Sequence, residues 1–362
     1  MSTTKVLHVI ARMNVGGTAR YVSELVEAIP NSKLATGFVQ GPEVEDPSVS
    51  KIPVVRINHL GRKISLVNDY KAWRELRTLV RDCEPDIVHT HTFKAGLIGR
   101  LVPGKHKHIH TFHGHLFADN SFSGLEKKII TLVEIWLARR TDVLVSVGLN
   151  VGKELREAGI GVGQKWVSIA PGVEALALSD KTEARKSIGV NQSGMLIGWM
   201  ARMTSVKNPN CLLQVASRLP DVQFVMAGGG DLLETIKSNA PENVKVIGWA
   251  DAATFWSAVD IAICTSDNEG MPVALIEAQL AGLPVIATNV GSNSEVIENE
   301  VTGYIVENNA QVLVHAINRF LTNPSAIGIL GSNGKRRANL EFSVEKMKQS
   351  HVNLYFSIIF SA

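Results

Sequence analysis

Short apolar, β-branched runs recur along the chain, separated by longer stretches with helical periodicity. In the first half Val6 to Ile10, Asp86 to Thr90, Lys107 to Phe112 and Asp142 to Val147 read as strands. The alternation restarts with Met195 to Trp199, Val222 to Ala227, Val244 to Ile247, Asp260 to Cys264, Pro284 to Thr288 and Gly303 to Val306. Repeated strand, helix, strand units imply parallel sheets covered by helices on both faces, and two sets of them imply two doubly wound domains. The turn signal Ala170-Pro-Gly-Val-Glu174, followed by Ala175 to Asp180, marks the break and predicts domains over 1–172 and 173–342. The stretch 343–362, with apolar Met347, Val352, Leu354, Tyr355, Ile358 and Ile359, reads as a helix packed back on the first domain. Doubly wound sheets bind ligands beyond the carboxyl ends of their strands, so the predicted site is a cleft between the domains.

Length supports two domains: 362 residues are enough for two cores, and 45% hydrophobic with 20% charged residues excludes a disordered chain. Three widely spaced cysteines, Cys83, Cys211 and Cys264, cannot make a disulfide framework or a zinc knuckle, which reads as a cytosolic chain. No run approaches the roughly 18 apolar residues of a spanning helix, and the apolar stretch before Arg12 is too short for a signal peptide.

The net charge of +3 conceals an asymmetry. Through residue 172 there are 23 Lys and Arg against 16 Asp and Glu; beyond it there are 14 against 18. Nine of the 11 histidines also lie in the first half. A basic half implies an anionic partner such as a phosphorylated ligand or a membrane surface. The scatter of basic residues, without a run interleaved with aromatics, argues against nucleic acid.

Several segments carry candidate chemistry. Asn14-Val-Gly16-Gly17-Thr18 follows the first strand and leads into a helix, where small residues let a phosphate approach unpaired N–H groups. The segment from Thr265 to Ile286 follows a strand, turns at Glu269-Gly270 and places Pro272 at the first position of a helix. That geometry aims the N–H groups of Gly270, Met271 and Val273 at a ligand. Glu269 and Glu277 are eight residues apart, about 12 Å along a continuous helix, too far for the carboxylate pair of a glycosidase. They suit two hydroxylated parts of one elongated ligand; a helix cap at Glu269 and a solvated Glu277 is the structural alternative. His106, His108 and His110 alternate along a strand, and with Asp86, His89, His91, His113 and His115 they raise a metal-site reading; no Asp or Glu lies within the 106–115 run to complete a site, and solvated or core histidines are the alternative.

Together these segments carry a resemblance. Glu269 and Glu277 at their spacing, Ala281-Gly-Leu-Pro-Val-Ile-Ala-Thr288, Glu295-Val-Ile and Thr302-Gly303-Tyr304 resemble the donor domain of the family 4 retaining glycosyltransferases. Ala201-Arg202-Met-Thr-Ser-Val-Lys207-Asn208-Pro209, the Gly16-Gly17 loop and Thr111-Phe-His113-Gly114 extend the resemblance over the whole chain. It implies a GT-B fold: two doubly wound Rossmann-like domains facing a central cleft, the first binding acceptor and the second a nucleotide-sugar donor.

The resemblance further implies that Arg202 and Lys207 neutralise a leaving diphosphate. Glu277 would hold the ribose, while Glu269 and the N–H groups that follow it hold the transferred sugar. Gly16 and Gly17 form a donor loop, and His113 lies against the donor sugar. Gly228-Gly229-Gly230-Asp231 would shape the nucleotide site, with Gly248 and Trp249 beside the base; Trp249 either stacks there or is buried in the core. The implied reaction moves a sugar, with retention, from a UDP-sugar to a hydroxyl of a saccharide or polyprenyl-diphosphate-linked acceptor. It needs no metal and no cofactor besides the donor. The expected setting is cytoplasmic, with peripheral association at the inner membrane face through Phe122 to Arg140; a buried crossover helix is the alternative for that segment. Alternative activities are a nucleotide-sugar 2-epimerase of the same fold, a metal-dependent hydrolase built on the histidines, and a binding module without catalysis. The sequence departs from the family where Ser292-Asn293-Ser294 follow Gly291 in place of a second glycine, and in its apolar ending Phe356 to Ala362.

Overall fold

The computed structural model describes residues 4–40, 44–61, 64–114 and 123–360. His115 and Phe122, named among the candidates above, lie outside the described residues, as do the last two residues of the predicted terminal helix. The chain divides into two compact units, one running to Gly172 and resuming at Val344, the other spanning Val173–Ser343.

The first unit holds a parallel sheet of β1 (Val6–Ile10), β2 (Ser32–Thr36), β3 (Val54–Arg56), β4 (Ile87–His91), β5 (Lys107–Phe112), β6 (Val143–Ser146) and β7 (Trp166–Ser168). Its order is β3-β2-β1-β4-β5-β6-β7. The second unit holds β8 (Leu196–Met200), β9 (Gln223–Ala227), β10 (Val244–Gly248), β11 (Ile261–Cys264), β12 (Val285–Thr288) and β13 (Gly303–Val306), also parallel, in the order β10-β9-β8-β11-β12-β13. Both sheets reverse their winding direction once, at β1/β4 and at β8/β11, which makes each a doubly wound Rossmann-like sheet.

The strands bury both faces, as a parallel sheet sandwiched by helices requires: every residue of β1, β4, β6, β11 and β12 is buried. Leu7, Val9, Ala35, Leu76 and Val88 belong to one core, and Ile197, Trp199, Phe224, Ile263, Leu313 and Phe320 to the other. Helix ends follow local chemistry. Ser123 and Glu126 form a reciprocal capping box at the start of the Gly124–Ala138 helix. Asp180 caps the Lys181–Ile188 helix, which Gly189 ends in the left-handed conformation.

Three strands are additional to the sequence expectation: β2, β3 and β7. β3 and β7 are three-residue strands at the sheet edges, and β2 carries an exposed Lys33, so none shows a sustained apolar run. The Val344–Phe360 helix belongs to the first unit. There Lys348 pairs with Glu24 at 2.5 Å, and the Gly172 N–H reaches Met347 Sδ at 3.0 Å.

Candidate active site

In the second unit the loops after β8 and β11, the two strands at the switch point, come together. The loop after β8 carries Arg202 and closes with a 3-10 turn, Ser205–Lys207, capped by Asn208 in the left-handed conformation. Asn208 then caps the Pro209–Ser217 helix through its side chain, which accepts from the Cys211 N–H. The loop after β11 is tied to it: Thr265 Oγ1 donates to the Asn208 carbonyl at 2.9 Å, and the Asp267 N–H donates to the Val206 carbonyl at 2.9 Å.

These ties bring Lys207 Nζ to 2.6 Å from Glu269 Oε2, with both side chains largely withdrawn from water. Ser266 Oγ donates to the other oxygen, Oε1, at 2.7 Å. The Cys264 thiol lies 3.8 Å from Oε1, and burial, then the Glu269 charge, push its pKa up to about 11, so it stays protonated near neutrality. A cation on one oxygen and a hydroxyl on the other thus engage the Glu269 side chain, which fits recognition of hydroxyl groups and leaves it poorly suited to nucleophilic attack. Glu277, on the Val273–Leu280 helix, is buried, which corrects the solvated reading. Pro272 flanks that helix as its N-cap residue and does not occupy the first helical position, with ψ 90° placing it outside helical geometry. Met271 is buried, and Gly270 and Val273 are partly open.

Arg202 is exposed and has no ion-pair partner among the described residues. Its loop is moulded by the glycines after β9. A β-carbon on Gly228 would stand 1.8 Å from the Ala201 carbonyl oxygen, and one on Gly230 would stand 2.4 Å from that of Met203. Met203 N–H donates to the Gly229 carbonyl at 2.8 Å. Trp249, after β10 and Gly248, is 69% exposed, which rules out the core reading; its indole lies over Gly229, where a β-carbon would meet Nε1 at 2.3 Å. A flat aromatic face thus stands beside the loop that carries Arg202.

The segment where the sequence departs from the family has a structural role. Gly291 has φ 50°, and a β-carbon there would fall 1.8 Å from the Glu269 carbonyl oxygen. Ser292 and Asn293 are fully buried, and Asn293 Nδ2 donates to the Thr288 carbonyl at 2.8 Å. Substituting Gly291 by alanine is expected to cost about 2–4 kcal/mol and to weaken nucleotide binding, because the displaced backbone is that of Glu269. Urea unfolding and calorimetric UDP binding measure both; parental values for the variant would show that the loop yields freely.

In the first unit, Gly16 has φ 152° and Gly17 opens the Gly17–Ala28 helix, one residue before the expected start. The histidines gather differently from the predicted stripe. Among the described residues the ring nitrogens of His8, His89 and His91 lie within 4.8 Å of one another, a set that does not include His106, His108 or His110. His8 Nδ1 is 3.1 Å from His91 Nε2, whose ring places Nδ1 3.1 Å from His113 Nε2. His89 bonds Tyr355 Oη at 2.6 Å and Thr111 Oγ1 at 2.7 Å. His351 faces the Met347 carbonyl at 3.0 Å, so its Nδ1 carries the proton and its Nε2 accepts from Tyr21 Oη at 2.9 Å. Burial lowers all these imidazoles: His8 and His113 to about 3 and His351 to about 4, with His89 and His91 well below their ordinary value. His113 ends this file as a neutral, partly open imidazole.

Sequence reasoning named Arg202, Lys207, Glu269, Glu277 and Trp249 but missed Ser266, Asn208 and Gly291. Ser266, three residues before Glu269 in a tight turn, was the available signal. Asn208 followed Lys207 directly, as an Asn-Pro helix start.

The comparisons with known proteins agree with this architecture. A family model described as glycosyl transferases group 1 matches residues 180–337, and one described as a glycosyl transferase 4-like domain matches 16–172. The chain belongs to the GT-B glycosyltransferases of family 4 type, and it is a glycosyltransferase. It is 27% identical to the Escherichia coli UDP-Gal:alpha-D-GlcNAc-diphosphoundecaprenol alpha-1,3-galactosyltransferase, over 99% of this chain and 98% of that one. A capsular polysaccharide biosynthesis glycosyltransferase of Staphylococcus aureus is 24% identical, over 83% of this chain and 84% of that one. Among solved structures, sucrose-phosphate synthase from Thermosynechococcus elongatus superposes with TM-score 0.86 at 19% identity, covering 99% of this chain and all of that one. An Anabaena protein in complex with UDP superposes with TM-score 0.82 at 18% identity, covering 98% and all of the respective chains.

Proposed function

We propose that this glycosyltransferase moves a sugar, with retention, from a UDP-sugar to a hydroxyl of a lipid-diphosphate-linked saccharide. The observation that carries the reading is the Lys207–Glu269 pair at the switch point, on whose β8 loop Arg202 is an exposed cation. Arg202 and Lys207 neutralise the diphosphate as the glycosidic bond breaks, the moment at which charge grows. Glu269 and the N–H groups of Gly270, Met271 and Val273 hold sugar hydroxyls. Glu277 holds the ribose, and Trp249 with Gly248 lies by the base. Gly16, Gly17 and His113 serve the donor phosphate and sugar as the family resemblance implies. Retention follows without an enzymic nucleophile: the acceptor oxygen enters on the face the diphosphate leaves, and a departing phosphate oxygen takes its proton. The similarity to a galactosyltransferase acting on a diphosphoundecaprenol-linked acceptor supports the donor and acceptor classes.

A panel of nucleotide sugars scored by thermal unfolding tests the donor. At a hundredfold excess over its Kd, the right one adds about 2.7 kcal/mol, a rise of several degrees in melting temperature. A panel without any UDP-specific shift would sink the UDP reading. UDP release that depends on added acceptor separates transfer from epimerisation, which would proceed without one.

A further inference from the structure

The imidazoles of the first unit form an ordered chain that ends at His113. Strand alternation and the pairing of His8 with His89 put His8, His89 and His91 on one face of the sheet, and Thr111, opposite His91, continues that face toward the turn that carries His113. His91 stands in the middle with both ring nitrogens engaged: Nε2 on His8 Nδ1 and Nδ1 on His113 Nε2, each at 3.1 Å. His89 is likewise engaged, by Tyr355 and Thr111, so of the three clustered rings only His8 has a nitrogen to spare, and one nitrogen is not a metal site. Burial keeps His8, His91 and His113 neutral near pH 7, so each ring carries one N–H and one lone pair. Two ring-to-ring bonds in series then allow two proton orders. In one, each Nε2 donates inward, and the last N–H is stranded on His8 Nε2, a buried atom without a hydrogen-bond partner among the described residues. In the other, His8 Nδ1 donates to His91 Nε2 and His91 Nδ1 donates to His113 Nε2, which leaves only a bare lone pair on His8 Nε2. Buried N–H groups are orphaned more rarely than buried acceptors, so burial selects the second order.

We infer that His91 is a positioning residue of the transfer reaction: it fixes His113 as the Nδ1–H tautomer, so that this partly open ring meets the transferred sugar as a hydrogen-bond donor to one of its oxygens. His8 supports the same order from behind by donating to His91. The ring plane is set separately. Tyr21 stands edge-on to His113, centroids 4.8 Å apart at 88°, and its hydroxyl is held by His351, whose other nitrogen donates to the Met347 carbonyl. The inference rests on the proposed contact of His113 with the donor sugar, and adds to it the direction of that hydrogen bond and the residue that sets it.

Histidine-selective 15N labelling of the full chain, read by long-range proton–nitrogen correlation, reports which ring nitrogen carries each proton. Nδ1–H at His113 in the unaltered protein is the expected result; Nε2–H there overturns the inference, whatever any variant does. His91→Leu removes the donor and should lower turnover about tenfold, the size of one lost neutral hydrogen bond, with the His113 proton displaced from Nδ1. His91→Asn keeps a side-chain N–H near the place of Nδ1 and should restore turnover to within about twofold of the parent. UDP carries no sugar, so its calorimetric affinity should match the parent in both variants. Equal turnover in the two variants, or loss of UDP binding alongside loss of turnover, would reduce His91 to a packing role and overturn the inference. His113→Ala separates this inference from the reading beneath it. If that variant turns over like the parent, the sugar contact and the inference fall together; if it is slow while His91→Leu is not, only the inference falls.

Discussion

Replacing Arg202 by alanine is expected to slow turnover about a hundredfold, the equivalent of roughly 3 kcal/mol of transition-state stabilisation, with almost no change in folding stability. Both halves of the expectation come from its setting. Arg202 is exposed and has no ion-pair partner among the described residues, so its loss leaves nothing buried and unsatisfied. Lys207→Ala should behave differently. It removes a comparable cation from the leaving group, and it also strands the Glu269 carboxylate, 8% exposed, beside the Cys264 thiol. Breaking such a pair from one side costs about 3–5 kcal/mol of stability. Adding Glu269→Gln to Lys207→Ala should restore most of that stability and none of the turnover. Steady-state kinetics with UDP release, run beside urea unfolding, separates these outcomes. Parental turnover in Arg202→Ala would remove the diphosphate role assigned to it.

Mild acid should unfold the first unit before the second. A histidine whose pKa is depressed by folding binds a proton in the unfolded chain below pH about 6.5 but not in the native one, so stability falls as pH drops from there to the native pKa. His8 and His351 are fully buried, with native values of about 3 and about 4. Between pH 6.5 and 4 each withdraws about 1.4 kcal/mol per pH unit, or roughly 7 kcal/mol for the two, comparable with the whole stability of a domain. Burial also holds His89, His91 and His110 well below their ordinary value, and they add in the same direction. The second unit buries no histidine: its one histidine, His315, is exposed. Hydrogen exchange at stepped pH should show amides of β1, β4 and β5 losing protection near pH 5 while those of β8, β11 and β12 keep theirs. A single cooperative loss across both units would contradict the assignment.

How far the sequence could be read follows from the range over which each signal acts. The central strand β1 was readable to the residue because it is buried along its whole length and almost entirely apolar, whereas the edge strands β3 and β7, three residues each, depend on neighbours that periodicity does not reveal. Arg202, Lys207 and Glu269 were visible as motif positions, but that Lys207 reaches Glu269 is a fact of topology: β8 and β11 are adjacent only because the winding reverses between them. The histidines show the same limit more plainly. His106, His108 and His110 drew attention by local spacing, yet the set that assembles joins His8 to His89 and His91 through the register of β1 with β4. His351, which completes the network from the opposite end of the chain, carried no local sign of that role.

The return of the terminal helix to the first unit has a consequence for biosynthesis. Tyr21 and His89 each take one hydrogen-bond partner from the terminal helix, His351 and Tyr355, so a ribosome that has delivered the first 172 residues has delivered an unfinished half. The second unit draws all its strands from one uninterrupted stretch and can mature while its predecessor waits. The half translated first is the one completed last, and a nonsense codon shortly before Val344 would leave the later half whole and the earlier one without its final helix.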